Sequence, residues 1–380
     1  MTSLKSKELP GCVPLPIPSP QLQVLSEEAK YFACVNGFFL KMDDNSNLEA
    51  AVPGPFTLLP SPVPRHLYEK AVVNQRYINE LYFKVANDYD FLWKTLKSAI
   101  AVDDFTAKQW AIFEEARKAR KHKDIQLALI RADYQLDTSR GKELKLSQFE
   151  VNTIAVAMAG ISSRLRKVHN VILQKLGRFR DVSRLAENNA STDFAKTLIA
   201  AWKLFNNPEA AIVMLSHEDE VNVFDHKILE QAIYELQPGL TFVRTTMTEM
   251  GKRATLTEND TLMMDDKEVA VVYYRTGYMP KHYTTDHAWK AKLMAELSNA
   301  AVCPSVGWHL AGTKKVQQEL NRPGVLEKYI SDPQVISEIR ETCTGMYSLD
   351  QTSEGDAAAA RGIAEPEKYV MKPQLEGGCK

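Results

Sequence analysis

The chain has 380 residues and a mass of 42.8 kDa, more than one hydrophobic core usually spans, so two or three domains are expected. Apolar residues make up 44% and charged residues 25%, the balance of a folded globular protein, which excludes a disordered or fibrous chain. Lys and Arg total 47 against 48 Asp and Glu, for a net charge of -1, so no global field attracts polyanions and nucleic acid is not an expected partner.

The N-terminus carries Lys5, Lys7 and five prolines between Pro10 and Pro20. It has no apolar signal-peptide region, and nothing in the chain approaches the about 18 apolar residues of a membrane span. A cytosolic chain is expected. Cys12, Cys34, Cys303, Cys343 and Cys379 are odd in number, widely spaced and free of C-x-x-C pairing, which argues against a disulfide framework or zinc site and for a reducing compartment. Asn189-Ala190-Ser191 matches a glycosylation acceptor, a chance match without a secretory signal.

Leu67, Ala71, Ile78, Leu81 and Val85 recur at helical spacing within 65–100 and predict a helical N-terminal layer. The basic run Arg117 to Lys123 follows the helical pattern Trp110, Phe113, Ala116, where cations suit the carbonyl end of a helix. Ile125 to Ile130 and Leu144 to Val151 read as strands joined across Arg140-Gly141-Lys142, a hairpin. A helix over Asp193 to Phe205 is broken by Asn206-Asn207-Pro208. There Ala211 to Leu215 opens a strand, helix, strand unit: a helix with Asp225 as its candidate cap, Gly239 as its stop, then a strand over Thr241 to Arg244. Val269 to Tyr274 is a further continuous apolar strand, and a helix through Trp289, Leu293 and Leu297 precedes Cys303-Pro304. From Thr313 helices return, and Lys368 to Lys372 reads as a strand entering Glu376-Gly377-Gly378. The expected fold class is α/β with a mixed α+β body in segments 1–207 and 312–380, and a parallel α/β domain over 208–311 inserted in it.

Glu150 and Asn152 alternate along a strand, so both side chains leave one face with roots about 7 Å apart. Hard oxygen donors of this kind suit Mg²⁺, although a solvated polar pair has the same pattern. Arg131 follows the strand over 125–130, placed either to grip a carboxylate or developing oxyanion, or to pair with Asp133. Glu220 and Asn222, and Arg275-Thr276-Gly277-Tyr278, follow buried strands, where open α/β sheets bind ligands. Lys372 before the glycines offers an ammonium for phosphate. No P-loop or dinucleotide fingerprint occurs, His217-Glu218 lacks a zincin partner, and the eight histidines read as structural or surface.

Six strings carry a resemblance: Phe56 to Pro64 (FTLLPSPVP), Asp103 to Ala107 (DDFTA), Glu150 to Thr153 (EVNT), Tyr274 to Pro280 (YRTGYMP), Leu310 to Gln318 (LAGTKKVQQ) and Lys372 to Gln374 (KPQ). In order, from about Leu22 to Gly378, the chain resembles the eukaryotic glutathione synthetases, ATP-grasp ligases that are usually homodimers. The resemblance implies that ATP phosphorylates the carboxylate of γ-glutamylcysteine and that the glycine amine attacks the acyl phosphate, giving glutathione, ADP and phosphate. It implies Mg²⁺ on Glu150, Asn152 and Glu376, and ATP held by Glu150, Lys314, Lys372, Glu376, Gly377 and Gly378. Arg131 and Lys372 take catalytic roles. The dipeptide falls to Arg131, Ile154, Ala155, Val156, Ala157, Glu220, Val221, Asn222, His226, Arg275, Thr276, Gly277 and Tyr278.

The chain departs from that pattern at Ala155 and Ala157, where the family often has serines, at His226, a glutamine there, and at Cys379 in place of a third loop glycine. The resemblance further implies that adenine-binding strands and a substrate lid lie beyond Lys380, so that the chain as written turns over little or not at all. The alternatives are a catalytically dead short form acting as a dimerisation or interaction partner, and a ligase with another amine acceptor.

Overall fold

The computed structural model describes residues 9, 11–42, 50–119, 125–139 and 143–374. The helical layer over 65–100 is two helices, Arg65–Ala86 and Tyr89–Ile100. They separate because Asp88 is extended and its carboxylate accepts the Phe91 N–H at 2.9 Å, a side-chain cap. Ile78, Leu81 and Val85 are buried and pack with Leu92, Trp110, Val306, Trp308 and Leu310, so the first core is helical and includes the helix Val306–Ala311. A second helical core joins Ser19–Val35 to Ala159–Lys175 beside a small antiparallel pair, β1 (Phe39–Lys41) and β2 (Ala51–Pro53).

The expected hairpin exists, with a shifted first strand: β3 is Arg131–Asp137 and β4 is Lys145–Asn152. Segment 125–130 belongs to no sheet. Its alternation has another cause: Leu127 and Leu129 enter one core while Ala128 and Ile130 pack on another. Alternate burial on two cores imitates a strand's period of two.

The α/β unit is built on β5 (Ala211–Leu215), β6 (Thr241–Thr245), β7 (Ala254–Leu256), β8 (Leu262–Met264), β9 (Lys267–Tyr274) and β10 (Ala301–Cys303). β5 lies between β6 and β9 and β10 runs along β9, all parallel, while β7 and β8 add an antiparallel edge. The three-residue β7, β8 and β10 are too short to show a period. On β5, Val213 and Leu215 enter one core and Ile212 and Met214 the other. Helices Ala190–Phe205 and Val223–Leu236 cover one face; Met247–Arg253 and Asp286–Leu297 cover the opposite one. Burial on both faces explains why β5 and β9 read as unbroken apolar runs.

One expectation fails near the chain's end, and another falls on residues that are not described. Residues 369–373 form no strand, and Val370 and Met371 are 72% and 79% exposed; an apolar alternation becomes a strand only where a neighbour accepts its hydrogen bonds. Glu376, Gly377 and Gly378 lie outside the described residues. Among the described residues no helix is long and apolar enough to cross a membrane, and Cys12, Cys34, Cys303 and Cys343 are free thiols.

Candidate active site

The end of β4 gathers charge from distant parts of the chain. The β3–β4 register sets Arg131 opposite Asn152 and Asp133 opposite Glu150. Arg131 does not end a strand, as expected, but begins one. Its guanidinium holds Asp133 bidentately, Nε to Oδ1 at 2.7 Å and Nη2 to Oδ2 at 2.9 Å, the ion pair that residues two apart on one strand face can form. Asn152 Nδ2 donates to Asp133 Oδ2 at 3.0 Å and to the Arg131 carbonyl at 3.2 Å, which turns its amide oxygen the other way.

Glu150 sits between two lysines. Lys314, at the start of the helix Lys314–Leu320, donates to Glu150 Oε1; Lys372 donates to Oε2 at 3.3 Å and to the Phe149 carbonyl at 3.0 Å. Burial by itself would raise the Glu150 carboxyl, but the hydrogen bond and charge of Lys314, reinforced by Lys372, hold it below the usual carboxylate range. Residues at 150, 314 and 372 thus share one half-buried cluster.

Sequence reasoning missed what fixes Lys314 against β4. The Gln317 side chain accepts the Val151 N–H at 3.0 Å and donates to the carbonyls of Val151 at 3.1 Å and Gly312 at 2.8 Å, splicing the helix to the strand. Gly312 permits the approach, since a Cβ there would lie 2.1 Å from Thr153 Oγ1. Both residues stand inside the string LAGTKKVQQ, where the only visible signal was the string itself.

Among the described residues no three acidic, His or Cys side chains gather as a metal cage. The hard donors present are the Glu150 carboxylate and the Asn152 amide oxygen. Mg²⁺ usually takes one or two carboxylates and completes its shell with water and substrate phosphates, so this donor set fits an ion that arrives with a nucleotide.

The segment after β4 connects this cluster to the α/β unit. Ala155 and Met158 take left-handed backbone, φ 51° and 75°, a conformation that non-glycine residues hold only when neighbours impose it. Asp225 imposes it. Expected as the cap of its own helix, it lies within the first turn of Val223–Leu236, and its carboxylate instead caps Ala159–Lys175 across space. It accepts the N–H groups of Met158 at 3.0 Å, Gly160 at 2.7 Å and Ile161 at 3.0 Å. Gly160 is required here, because a Cβ would meet the Asp225 carbonyl oxygen at 2.5 Å.

Arg275 follows β9 and completes the clamp, with Nη2 3.0 Å from Asp225 Oδ2 and Nη1 donating to the Val156 carbonyl at 2.5 Å. Both side chains are nearly sealed, 4% and 1% exposed. Expected at a ligand-binding strand end, Arg275 here braces an acidic residue, and its Nε has no hydrogen-bond partner among the described residues. Beyond it Gly277, at φ 86°, donates to His282 Nδ1 at 3.1 Å, and the Tyr278 ring meets His282 edge-on at 4.6 Å. Thr276 is buried with them.

Glu220, Val221 and Asn222 turn into the helix Val223–Leu236: Glu220 Oε1 accepts the Asn222 N–H at 2.8 Å, and the Val221 carbonyl accepts from Lys41 at 3.0 Å. His226 Nε2 lies 3.6 Å from Glu220 Oε2. Burial, then the charges of Arg275, Arg244 and Lys227, pull the His226 pKa to about 2, so it is neutral at pH 7. Ile154, Ala155, Val156 and Ala157 thus run from the lysine–glutamate cluster to the Asp225–Arg275 pair.

Residues 19–380 match the sequence family described as eukaryotic glutathione synthase, ATP binding domain. Among solved structures, a glutathione synthetase-like effector from Globodera pallida in its apo form superposes with a TM-score of 0.74 at 24% identity, over 93% of this chain and 80% of that one. Fold and family together define a ligase with an ATP-grasp-like fold. The glutathione synthetase of Mus musculus is 38% identical over 94% of this chain and 75% of its own length. That of Homo sapiens is 37% identical over the same shares, and the chloroplastic one of Solanum lycopersicum 34% over 99% and 69%. The chain belongs to the eukaryotic glutathione synthetase family.

Proposed function

We propose that this chain carries the family's reaction, joining γ-glutamylcysteine to glycine through an acyl phosphate with release of ADP and phosphate. The observation that carries the reading is the meeting of Glu150, Lys314 and Lys372 at the end of β4. In this reading Lys314 and Lys372 hold the ATP phosphates, and Glu150, Asn152 and Glu376 hold Mg²⁺. Gly377 and Gly378 count among the ATP contacts in the same reading. Bound Mg²⁺ would supply positive charge against the phosphates during transfer.

The α/β unit, residues 208–311, is the dipeptide domain. The dipeptide contacts are Glu220 to Asn222, His226 and Arg275 to Tyr278 from this unit, and Ile154 to Ala157 from the segment after β4. Arg131 faces the reacting carboxylate, its orientation set by Asp133. Catalysis is positioning and electrostatics, since phosphoryl transfer asks little covalent chemistry of the protein. The homodimer and the cytosolic setting belong to the same proposal, the latter supported by the free thiols.

The test is coupled ADP release with γ-glutamylcysteine and glycine, alongside calorimetric binding of each ligand. Release that requires both amino-acid substrates and Mg²⁺, and that falls by about a hundredfold or more in Glu150→Gln, supports the proposal. Binding of ATP and dipeptide without turnover assigns the chain a non-catalytic role. Failure to bind either overturns the reading.

A further inference from the structure

The lysines that meet phosphates and the carboxylate that meets metal are, in this structure, bound to one another. Glu150 and Lys314 are each 14% exposed and Lys372 27%, so these pairs are shielded from water and are not loose surface contacts. Lys372 is further seated by the Phe149 carbonyl at 3.0 Å and lies 5.0 Å from the Phe149 ring centroid. A polyphosphate entering alone must draw both ammonium groups away from Glu150, leaving a half-buried carboxylate uncompensated beside a new polyanion. A divalent cation entering alone meets a carboxylate already neutralised by two cations. When both enter, the lysines pass to the phosphates, the carboxylate passes to the metal, and no charge is left unpaired.

We propose that Glu150 is an electrostatic latch that couples Mg²⁺ to the nucleotide, so that each raises the site's affinity for the other. The proposal rests on the nucleotide reading above. Coupling is reciprocal, and couplings of this kind typically amount to about 5–150-fold in affinity. It separates the latch from a plain metal ligand. Removing a plain ligand weakens binding of the Mg²⁺ complex and leaves metal-free nucleotide untouched; removing a latch makes metal-free nucleotide bind more tightly.

The experiment is calorimetric titration of the full chain with a non-hydrolysable ATP analogue, once in EDTA and once with Mg²⁺. Wild type is compared with Glu150→Gln and Asp137→Asn, each checked by circular dichroism. Asp137 is a carboxylate at the far end of the paired strand, bonded to Ser139 and Ser147, and serves as the control for a general loss of negative charge. Expected are analogue binding in EDTA tightened at least about fivefold in Glu150→Gln, a smaller gain from Mg²⁺ in that variant, and a change under about twofold in Asp137→Asn. Unchanged or weaker metal-free binding in Glu150→Gln overturns the latch and leaves a metal ligand. Equal tightening in Asp137→Asn also overturns it, in favour of long-range charge. No binding by wild type in either buffer overturns the nucleotide assignment itself. If Glu150→Gln fails to fold, Glu150→Asp, with a carboxylate one methylene short of the lysines, should tighten metal-free binding, and no change there overturns the latch.

Discussion

Asp225→Ala is the substitution whose cost the structure defines best. The carboxylate accepts three backbone N–H groups at the start of Ala159–Lys175 and pairs with Arg275 at 3.0 Å. Truncation strands the Arg275 guanidinium, whose side chain is 4% exposed; breaking a buried pair from one side costs about 3–5 kcal/mol. Loss of the helix cap adds about 1 kcal/mol. Together these approach the whole stability of a marginal domain, about 5–15 kcal/mol. Asp225→Asn keeps the shape and one acceptor oxygen and should lie between the two. A double variant, Asp225→Leu with Arg275→Met, removes both charges and should recover part of the loss, because apolar replacement of an entire buried pair is often close to neutral. Guanidinium denaturation followed by circular dichroism measures all three. A loss below about 1 kcal/mol in Asp225→Ala, or a double variant as unstable as the single, would refute the argument that this carboxylate holds the segment and Arg275 together.

Arg275→Lys should weaken γ-glutamylcysteine binding about tenfold or more, since an ammonium cannot hold Val156, Asp225 and a ligand in one plane; equal calorimetric affinity in two folded proteins leaves Arg275 as scaffold. His226 and His282 are buried, with pKa values pulled from 6.5 to about 2 and about 4. The unfolded chain therefore binds more protons below pH 6.5, and stability present above that pH falls on acidification by up to about 1.4 kcal/mol per pH unit for each. A denaturation midpoint that is flat from pH 7 to 5 contradicts this. Lys292 is fully buried, its Nζ has no hydrogen-bond partner among the described residues, and burial lowers its pKa to about 8, against the opposing charge of Glu296. Its folded pKa is depressed, so stability should rise with pH between 8 and about 10.4, and Lys292→Met should stabilise by about 1–3 kcal/mol at pH 7 and abolish that rise; destabilisation on thermal melting would show that the ammonium is needed where it lies. Gly251→Ala should cost about 3 kcal/mol in a chemical melt because its Cβ would lie 1.9 Å from the His287 carbonyl oxygen, and a neutral result would mean that the two helices separate freely.

What was legible in the sequence depended on how local the physics is. β5 and β9 could be read because burial on both faces leaves no polar position in the run; the Arg131–Asp133 pair stood only as one of two alternatives, because the strand that puts both residues on one face was placed six residues too early. Leu127 and Leu129 misled because alternate burial was mistaken for pairing; the hydrogen bonds of a strand are not written in its side chains. The short strands Ala254–Leu256 and Leu262–Met264 were missed for the opposite reason, having pairing without enough length for a period. Asp225 was read correctly as a cap residue and assigned to the wrong helix, because the N–H groups it serves lie 64 to 67 positions away in sequence. The burial of His226, and with it the loss of its charge, is masked in sequence by its charged neighbours Asp225 and Lys227.

The two acidic centres at either end of the Ile154–Ala157 segment differ in a way that bears on what each can do. Asp225 and Arg275 balance one another in a sealed pair, with three backbone N–H groups filling the remaining acceptor sites. Such a centre has little to exchange with a ligand and much to lose by opening, so it fixes geometry. Glu150 instead sits between two ammonium groups that can change partners, in a place only partly shielded from water. At contact distance in a partly dehydrated site local charge outweighs distant charge that salt screens, so the chain's net charge of -1 does not decide what this cluster attracts. Under the proposed function, the segment fixed at the Asp225 end sets where the dipeptide lies relative to Lys314 and Lys372.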